Sequence, residues 1–317
     1  MRVYVHGNCQ GPAIATLIKG RMPGWDVASY EVFNTKIIGQ IGRYYHYVET
    51  ADIIISQPVH DGYRQRDDLS LNWLRSTARP NAQFVIFPSM FFDGQLVGCR
   101  SIAIPAYGMP YHDTLLAHLV VAGVTVPDII NVLLDTHLYT DEFIEREIDL
   151  SVSEMRRREG QDGIDVPISP FLEEYGRSTQ IFHVINHPCR PALAYVANQI
   201  LAFLGYSPGV PAVGEDLIRF PHIPVPPSVE RFISTHGRQI PEWQVEDGQT
   251  YHLPDERLSR PDYIRRAVHH LGNYTKAELE IYLQETHTRS FLHRLAIAVP
   301  GLPGIDRWAD AGSRSAA

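Results

Sequence analysis

Over the first part of the chain, short apolar runs at residues 3–5, 27–33, 53–55 and 84–87 alternate with stretches of helical periodicity beginning near Pro12, Lys36 and Leu69. A run of apolar residues a few positions long reads as a strand buried on both faces, and apolar spacing of three and four reads as a helix. The alternation predicts a βαβαβαβ unit, hence a parallel sheet whose strand-ending loops share one edge. After about residue 110 the pattern turns helical, with amphipathic segments at 112–123, 126–136, 141–159, 190–204, 228–238, 261–271 and 276–298. Between them, residues 205–227 hold Pro208, Pro211, Pro221, Pro224, Pro226 and Pro227. Proline fixes φ and removes an N–H, so this connector is expected to be an extended, ordered loop. The expected fold class is therefore α/β plus α. A small flavodoxin-like parallel subdomain over residues 1–100 is built into a larger, mainly helical region over 101–300, and 301–317 is expected to be a flexible tail.

Chemistry concentrates at the ends of the predicted strands. Gly7-Asn8-Cys9-Gln10 follows the first, Ser56-Gln57-Pro58-Val59-His60 the third and Phe87-Pro88-Ser89 the fourth. In an open α/β sheet these loops face the ligand crevice. A thiol at Cys9 would sit beside helix-terminal N–H groups, whose partial positive charge favours a thiolate or an anion. Farther on, residues 181–185 read as a strand ended by Asn186-His187-Pro188 before the helix near Arg190. Asn186 or His187 is expected to cap that helix, and His187 is expected to approach Cys9 if this strand joins or abuts the first sheet.

Composition narrows the class without naming a reaction. A chain of 317 residues, 44% hydrophobic and 20% charged, reads as an ordinary soluble globular protein with a sizeable core. A formal net charge of -8 argues against a broad nucleic-acid surface. Cys9, Cys99 and Cys189 are too few and scattered for a disulfide framework, which fits a reducing cytoplasm. The first residues lack a basic run followed by a long apolar one and the apolar stretch 115–124 is short and interrupted by His118, so neither export nor a membrane span is expected. His269-His270 and the pair His287 and His293 do not share helix faces, so no metal is predicted. Arg156-Arg157-Arg158 reads as a solvated helix face.

Taken in order, Gly7-Asn8-Cys9-Gln10, Ser56-Gln57-Pro58, Phe87-Pro88 and Asn186-His187-Pro188 resemble the WcbI polysaccharide-biosynthesis family over about residues 1 to 300. The resemblance implies a cradle-shaped, mainly helical protein with a smaller α/β subdomain. It also implies coenzyme A or acetyl-coenzyme A bound as co-substrate in a deep, loop-lined pocket, and O-acetylation of a capsular or surface polysaccharide sugar, a 6-deoxy-manno-heptose unit in the family's best-known setting. Gly7, Asn8, Cys9, Gln10, Ser56, Gln57, His60, Arg64, Pro88, Tyr107 and Asn186 are the residues expected around coenzyme A. Lys36, Arg43, Arg64, Arg66 and Arg100 are the phosphate candidates, and Tyr63, Phe91, Phe92, Tyr107 and Tyr111 the candidate apolar walls.

Acyl transfer to a hydroxyl needs a base, oxyanion donors and a groove for the carrier. His187 is the first choice of base and His60 the second, with the Asn8, Gln10 and Gln57 amides as donors. Cys9, His187 and Gln10 are thus the catalytic candidates. Cys9 either shapes the pocket for direct transfer, the slightly favoured order, or carries the acetyl group itself. Two other classes stay open. One is a carbohydrate esterase resembling the SGNH enzymes, although Cys9 stands where those have serine. The other is a non-catalytic coenzyme A or glycan-binding protein assisting another capsule-pathway protein.

Overall fold

A computed structural model describes residues 1–32, 40–101, 111–214, 217, 223–236 and 259–314. Strands β1 (Arg2–Gly7), β2 (Asp26–Glu31), β3 (Ile53–Ser56) and β4 (Gln83–Ile86) form a parallel sheet in the order β2-β1-β3-β4. Helix α1 (Gln10–Arg21) covers one face, and α2 (Ile41–Thr50) and α3 (Leu71–Thr77) lie on the other. The expected helix start near Lys36 lies outside the described residues.

The apolar runs form strands because both faces are covered. Val3 and Val5 point into the core under α1, whereas Tyr4 between them packs with Tyr44, Ile54 and Leu74 on the far side. Ile53, Ile54 and Ile55 are all buried, which is why that strand reads as an unbroken apolar run. Chain order runs β1 to β2 on one side and then returns past β1 to β3 on the other. The carboxyl ends of β1 and β3 therefore border the switch point where such sheets open a crevice.

The helical region comprises, among the described residues, α4 (Thr114–Val121), α5 (Val126–Leu134), α6 (Asp141–Asp162), α7 (Ser169–Tyr175), α8 (Arg190–Phe203), α9 (Pro227–His236), α10 (Arg260–Leu271), α11 (Lys276–Gln284) and α12 (Thr286–Ala298). One hydrophobic core runs from Val3 to Trp308, so the sheet and helices share an interior. Helix α8 packs against α1. Arg21, at the end of α1, reaches the Ser207 carbonyl beyond α8, and Cys9 before α1 lies by His187 before α8, so the two helices run in the same direction.

Several expectations are corrected. The segment 276–298 is two helices, because Glu285 takes an extended ψ of 140° between them. Helix α4 starts at Thr114 because the Asp113 carboxylate accepts the Leu115 and Leu116 N–H groups, leaving Tyr111–Asp113 as strand β6, paired with β5 (Cys99–Ser101). Helix α7 lacks an apolar period long enough to be read from sequence; the Glu159 carboxylate caps it by accepting from the Ile168 and Ser169 N–H groups. Strand β7 (Phe182–Val184) pairs antiparallel with β8 (His187–Pro188) in a separate ribbon and does not join the main sheet. Neither Asn186 nor His187 caps α8, whose N-cap is Cys189. Residues beyond 300 are no loose tail up to Arg314. A 3₁₀ helix, Ile305–Arg314, buries Ile305 and Trp308. In the proline-rich connector, Asn198 holds both Gly209 and Val210 N–H groups at 2.8 Å and donates to the Val210 carbonyl.

Three buried histidines are each held as one neutral tautomer. His6 donates Nε2–H to the Leu69 carbonyl at 2.7 Å and accepts the Tyr4 hydroxyl on Nδ1 at 3.0 Å. His118 donates to the Pro303 carbonyl and accepts from Trp308 Nε1. His187 donates Nδ1–H to Asn186 Oδ1. Burial pulls all three down to about 4. The unfolded chain takes up these protons near the ordinary pKa of about 6.5, so stability is complete above that pH and is lost as pH falls toward 4, by about 1.4 kcal/mol per pH unit for each histidine. Thermal melting is expected to show a marked fall in Tm between about pH 7 and about pH 5. A flat profile over that window would contradict the neutral-histidine assignment.

Candidate active site

The GNCQ turn is built by local rules. Asn8 Oδ1 accepts the Gln10 N–H at 2.9 Å, and the Asn8 carbonyl accepts the Gly11 N–H, so the asparagine does the capping. Cys9 occupies the N-cap position of α1 without spending its side chain there.

Two buried amides lock this turn to its neighbours. Gln57 Oε1 accepts the Asn8 N–H at 2.8 Å, and Gln57 Nε2 donates to Gln10 Oε1 at 2.8 Å and to the Pro88 carbonyl at 3.3 Å. Gln10 Oε1 also accepts the Met90 N–H, while Gln10 Nε2 donates to the Met90 and Asn186 carbonyls at 2.8 Å each. Loops from four distant positions are thereby tied at one point. Ser56 Oγ donates to the Gln57 carbonyl, fixing the loop after β3. Both hydrogens of the Gln10 and Gln57 amides are committed, so these side chains hold the site and do not serve as the oxyanion donors expected from sequence.

Across the crevice, His187 Nε2 lies 3.6 Å from Cys9 Sγ. Its Nδ1 is 2.7 Å from Asn186 Oδ1, which also accepts the Tyr111 hydroxyl at 2.7 Å, and the Tyr111 ring stands edge-on to the imidazole. The chain Tyr111–Asn186–His187–Cys9 fixes the tautomer with the Nε2 lone pair toward sulfur. Burial, then the charge of Glu31, pushes the Cys9 thiol up to about 11, against the partial help of the Cys9 and Gln10 N–H groups. Burial, then His183, lowers His187 to about 4. The resting pair is a neutral thiol and a neutral imidazole, which corrects the expectation of a thiolate.

Cys9 and His187 line a cavity of about 230 Å³ with Pro12, Ala13, Thr16, Glu31 and Leu217. A second cavity of about 360 Å³ shares Thr16 and Leu217 and extends along α1 to Gly20, Arg21, Arg190, Gly209, Val210 and Pro211. Together they form a groove along α1, a helix that rises about 18 Å from Cys9 to Arg21. Arg21 and Arg190 hydrogen-bond the carbonyls of Ser207 and Pro211 there, at 3.5 and 3.3 Å.

The structure brings Gly7, Asn8, Cys9, Gln10, Ser56, Gln57, Pro88, Asn186 and His187 together around this crevice. His60 and Arg64 are exposed on the segment after β3, and neither lines the Cys9 cavity. Arg66 pairs with Asp68 and Arg100 with Asp93, Arg43 borders a separate hollow beside Tyr30 and Tyr47, and Tyr107 and Lys36 lie outside the described residues. Phe92 is core, and Phe91 carries the Arg158 guanidinium on its face. Sequence reasoning missed Glu31, Arg21 and Arg190. Glu31 is the last α1-facing alternate of β2, after Val27 and Ser29, whereas the two arginines line one cavity because α1 and α8 run side by side. Among the described residues, no cluster of His, Cys, Asp or Glu could hold a metal ion, and no helix is long and apolar enough to cross a membrane.

An open parallel sheet with a Cys–His–Asn relay at its switch point defines a thiol-centred α/β protein with a helical surround. Its sequence matches the family described as polysaccharide biosynthesis enzyme WcbI over residues 2–209, and the chain belongs to that family of enzymes. Its fold is also that of a solved structure described as WcbI, a novel polysaccharide biosynthesis enzyme, native protein without disulfide bond between coenzyme A and one of its cysteines. The TM-score is 0.72 at 20% identity, covering 99% of this chain and 98% of that one. No curated protein matches the sequence.

A Cβ added at Gly7 would stand 2.8 Å from Gln57 Oε1 and 3.0 Å from its Cδ. Gly7→Ala is therefore expected to cost about 1–3 kcal/mol, read as a lowered Tm, with part recovered in the Gly7→Ala, Gln57→Ala double variant. Alkylation of Cys9 by iodoacetamide is expected to be slow at neutral pH and to rise about tenfold per pH unit through the alkaline range. Cys99 and Cys189 are buried, so the modified residue is readily assigned by peptide mass. A plateau below about pH 8 would show a preformed thiolate instead.

Proposed function

We propose that the chain is a coenzyme A-dependent O-acetyltransferase acting on a sugar hydroxyl of a capsular or surface polysaccharide. The observation that carries this reading is the Cys9–His187–Asn186 relay at the head of a groove whose adjoining cavity is lined by Arg21 and Arg190. A thioester carrier has this polarity, an uncharged reacting end joined by a long arm to phosphates. Family membership and the coenzyme A in the description of the similar solved structure point the same way.

His187 serves as base in both half-reactions. Its Nε2 takes the S–H proton as Cys9 Sγ attacks the acetyl carbonyl; the carbon–sulfur bond of the thioester breaks, and coenzyme A leaves with the proton. The acceptor hydroxyl then gives its proton to Nε2 as its oxygen attacks the acetyl carbon on Cys9, and the departing sulfur takes that proton back. The 3.6 Å contact between Sγ and Nε2 favours this covalent order over direct transfer. Because both groups rest neutral, proton transfer accompanies attack and does not precede it. Asn186 holds the imidazole tautomer, Tyr111 holds Asn186, and Asn8 Nδ2, which gives one hydrogen to Ser89 Oγ, has a second to offer the oxyanion.

Titration calorimetry is expected to show saturable binding of coenzyme A, retained in Cys9→Ala and weakened by Arg21→Ala with Arg190→Ala. Incubation with acetyl-coenzyme A, without acceptor, is expected to add one acetyl group to Cys9 by intact mass, and His187→Ala is expected to slow that step at least about a hundredfold. Absence of coenzyme A binding would overturn the transferase reading. Turnover surviving in Cys9→Ala would replace the covalent order by direct transfer.

A further inference from the structure

Glu31 enters the site through the register of the sheet. Strands β1 and β2 pair as Val3 with Val27, Val5 with Ser29 and Gly7 with Glu31. Paired positions of neighbouring strands project to the same side, and Val3 and Val5 belong to the core under α1. Glu31 is thus the last α1-facing position of β2, directly across from the GNCQ turn, and it lines the cavity that holds Cys9 and His187. Strand β2 is an edge of the sheet, so this side of the cavity lies away from the loops of β3 and β4.

The groove is consequently bipolar, with a carboxylate in the cavity that holds Cys9 and the Arg21 and Arg190 guanidinia lining the adjoining one. The basic cavity suits the anionic part of the carrier. The acidic cavity suits a partner that donates hydrogen bonds and carries no negative charge of its own. An ionised carboxylate is acceptor-only, with about four lone-pair directions, and so matches the paired O–H donors of a sugar diol.

Resting on the transferase reading, we propose that Glu31 is the acceptor-binding residue of this site. Its carboxylate accepts hydrogen bonds from the hydroxyls flanking the reacting one, and its charge excludes acceptors that bear a carboxylate or phosphate beside that hydroxyl. The acceptor class is then a neutral, or amino-substituted, sugar at the point of acetylation. Its nearness also accounts for part of the protonation of Cys9, where Glu31 is the main charged contributor after burial.

Two reagents of one reaction test the charge directly. Iodoacetamide and iodoacetate both alkylate the Cys9 thiolate but differ in charge, so the ratio of their rates cancels the ionisation of the thiol. In Glu31→Gln the iodoacetate rate is expected to rise relative to the iodoacetamide rate by on the order of three- to tenfold, and Glu31→Asp is expected to stay near the native ratio. Added salt is expected to move the native protein in the same direction, which tests the charge without any variant. In acetyl transfer to a methyl hexopyranoside and to its uronate, Glu31→Gln is expected to raise KM for the neutral acceptor and narrow the preference against the uronate, with KM for acetyl-coenzyme A unchanged. An unchanged alkylation ratio in Glu31→Gln, or an unchanged acceptor preference, overturns the proposal. Failure of coenzyme A binding overturns the transferase reading by a different measurement.

Discussion

The site depends on one interaction, the hydrogen-bonded pair of buried amides Gln10 and Gln57. A primary amide offers two donors and a carbonyl with two lone pairs, and here both hydrogens of each side chain are used. The pair bridges the ends of β1 and β3 and holds the loop after β4 and the carbonyl of Asn186. An unsatisfied buried amide costs about 1–3 kcal/mol, so removing one member strands the other and loosens all four loops together. Gly7 belongs to the same constraint, because the Gln57 side chain fills the space a Cβ would need.

The second constraint is the packing of α8 beside α1. Two helices that start side by side bring the residues before them together, which is how Cys9 meets His187 across 178 positions. The same alignment lets Arg21 from the end of α1, Arg190 from the start of α8 and the connector around Gly209 line one adjoining cavity. The shared core enforces this, since Ile14, Leu17, Ala194 and Val196 belong to one apolar cluster with both halves of the chain. Both cavities are therefore set by a single helix pair.

Burial decides the electrostatics. A helix N-terminus is expected to favour a thiolate, and backbone N–H groups at Cys9 and Gln10 do act that way, yet desolvation and Glu31 outweigh them. The imidazole is shifted in the opposite direction by the same desolvation. A neutral thiol is a weak nucleophile, so the resting sulfur reacts slowly with stray electrophiles.

The hydrophobic pattern by itself determined the four parallel strands, the strand-ending loops as the site, and the major helices, because burial on two faces and helical amphipathicity leave direct periodic marks. It also brought out Cys9, Gln10, Gln57, Asn186 and His187, polar residues placed abruptly where apolar runs stop. Their roles were a matter for the tertiary structure. Whether Gln10 donates to a substrate or ties loops together depends on where Met90 and Asn186 fall, and nothing local encodes that. The break at Glu285, the packed Ile305–Arg314 segment and the separate β7–β8 ribbon likewise follow from long-range contacts. So do the thiol's protonation and the Arg21–Arg190 cavity, since desolvation and charge proximity are properties of assembled neighbours and leave no periodicity in the chain.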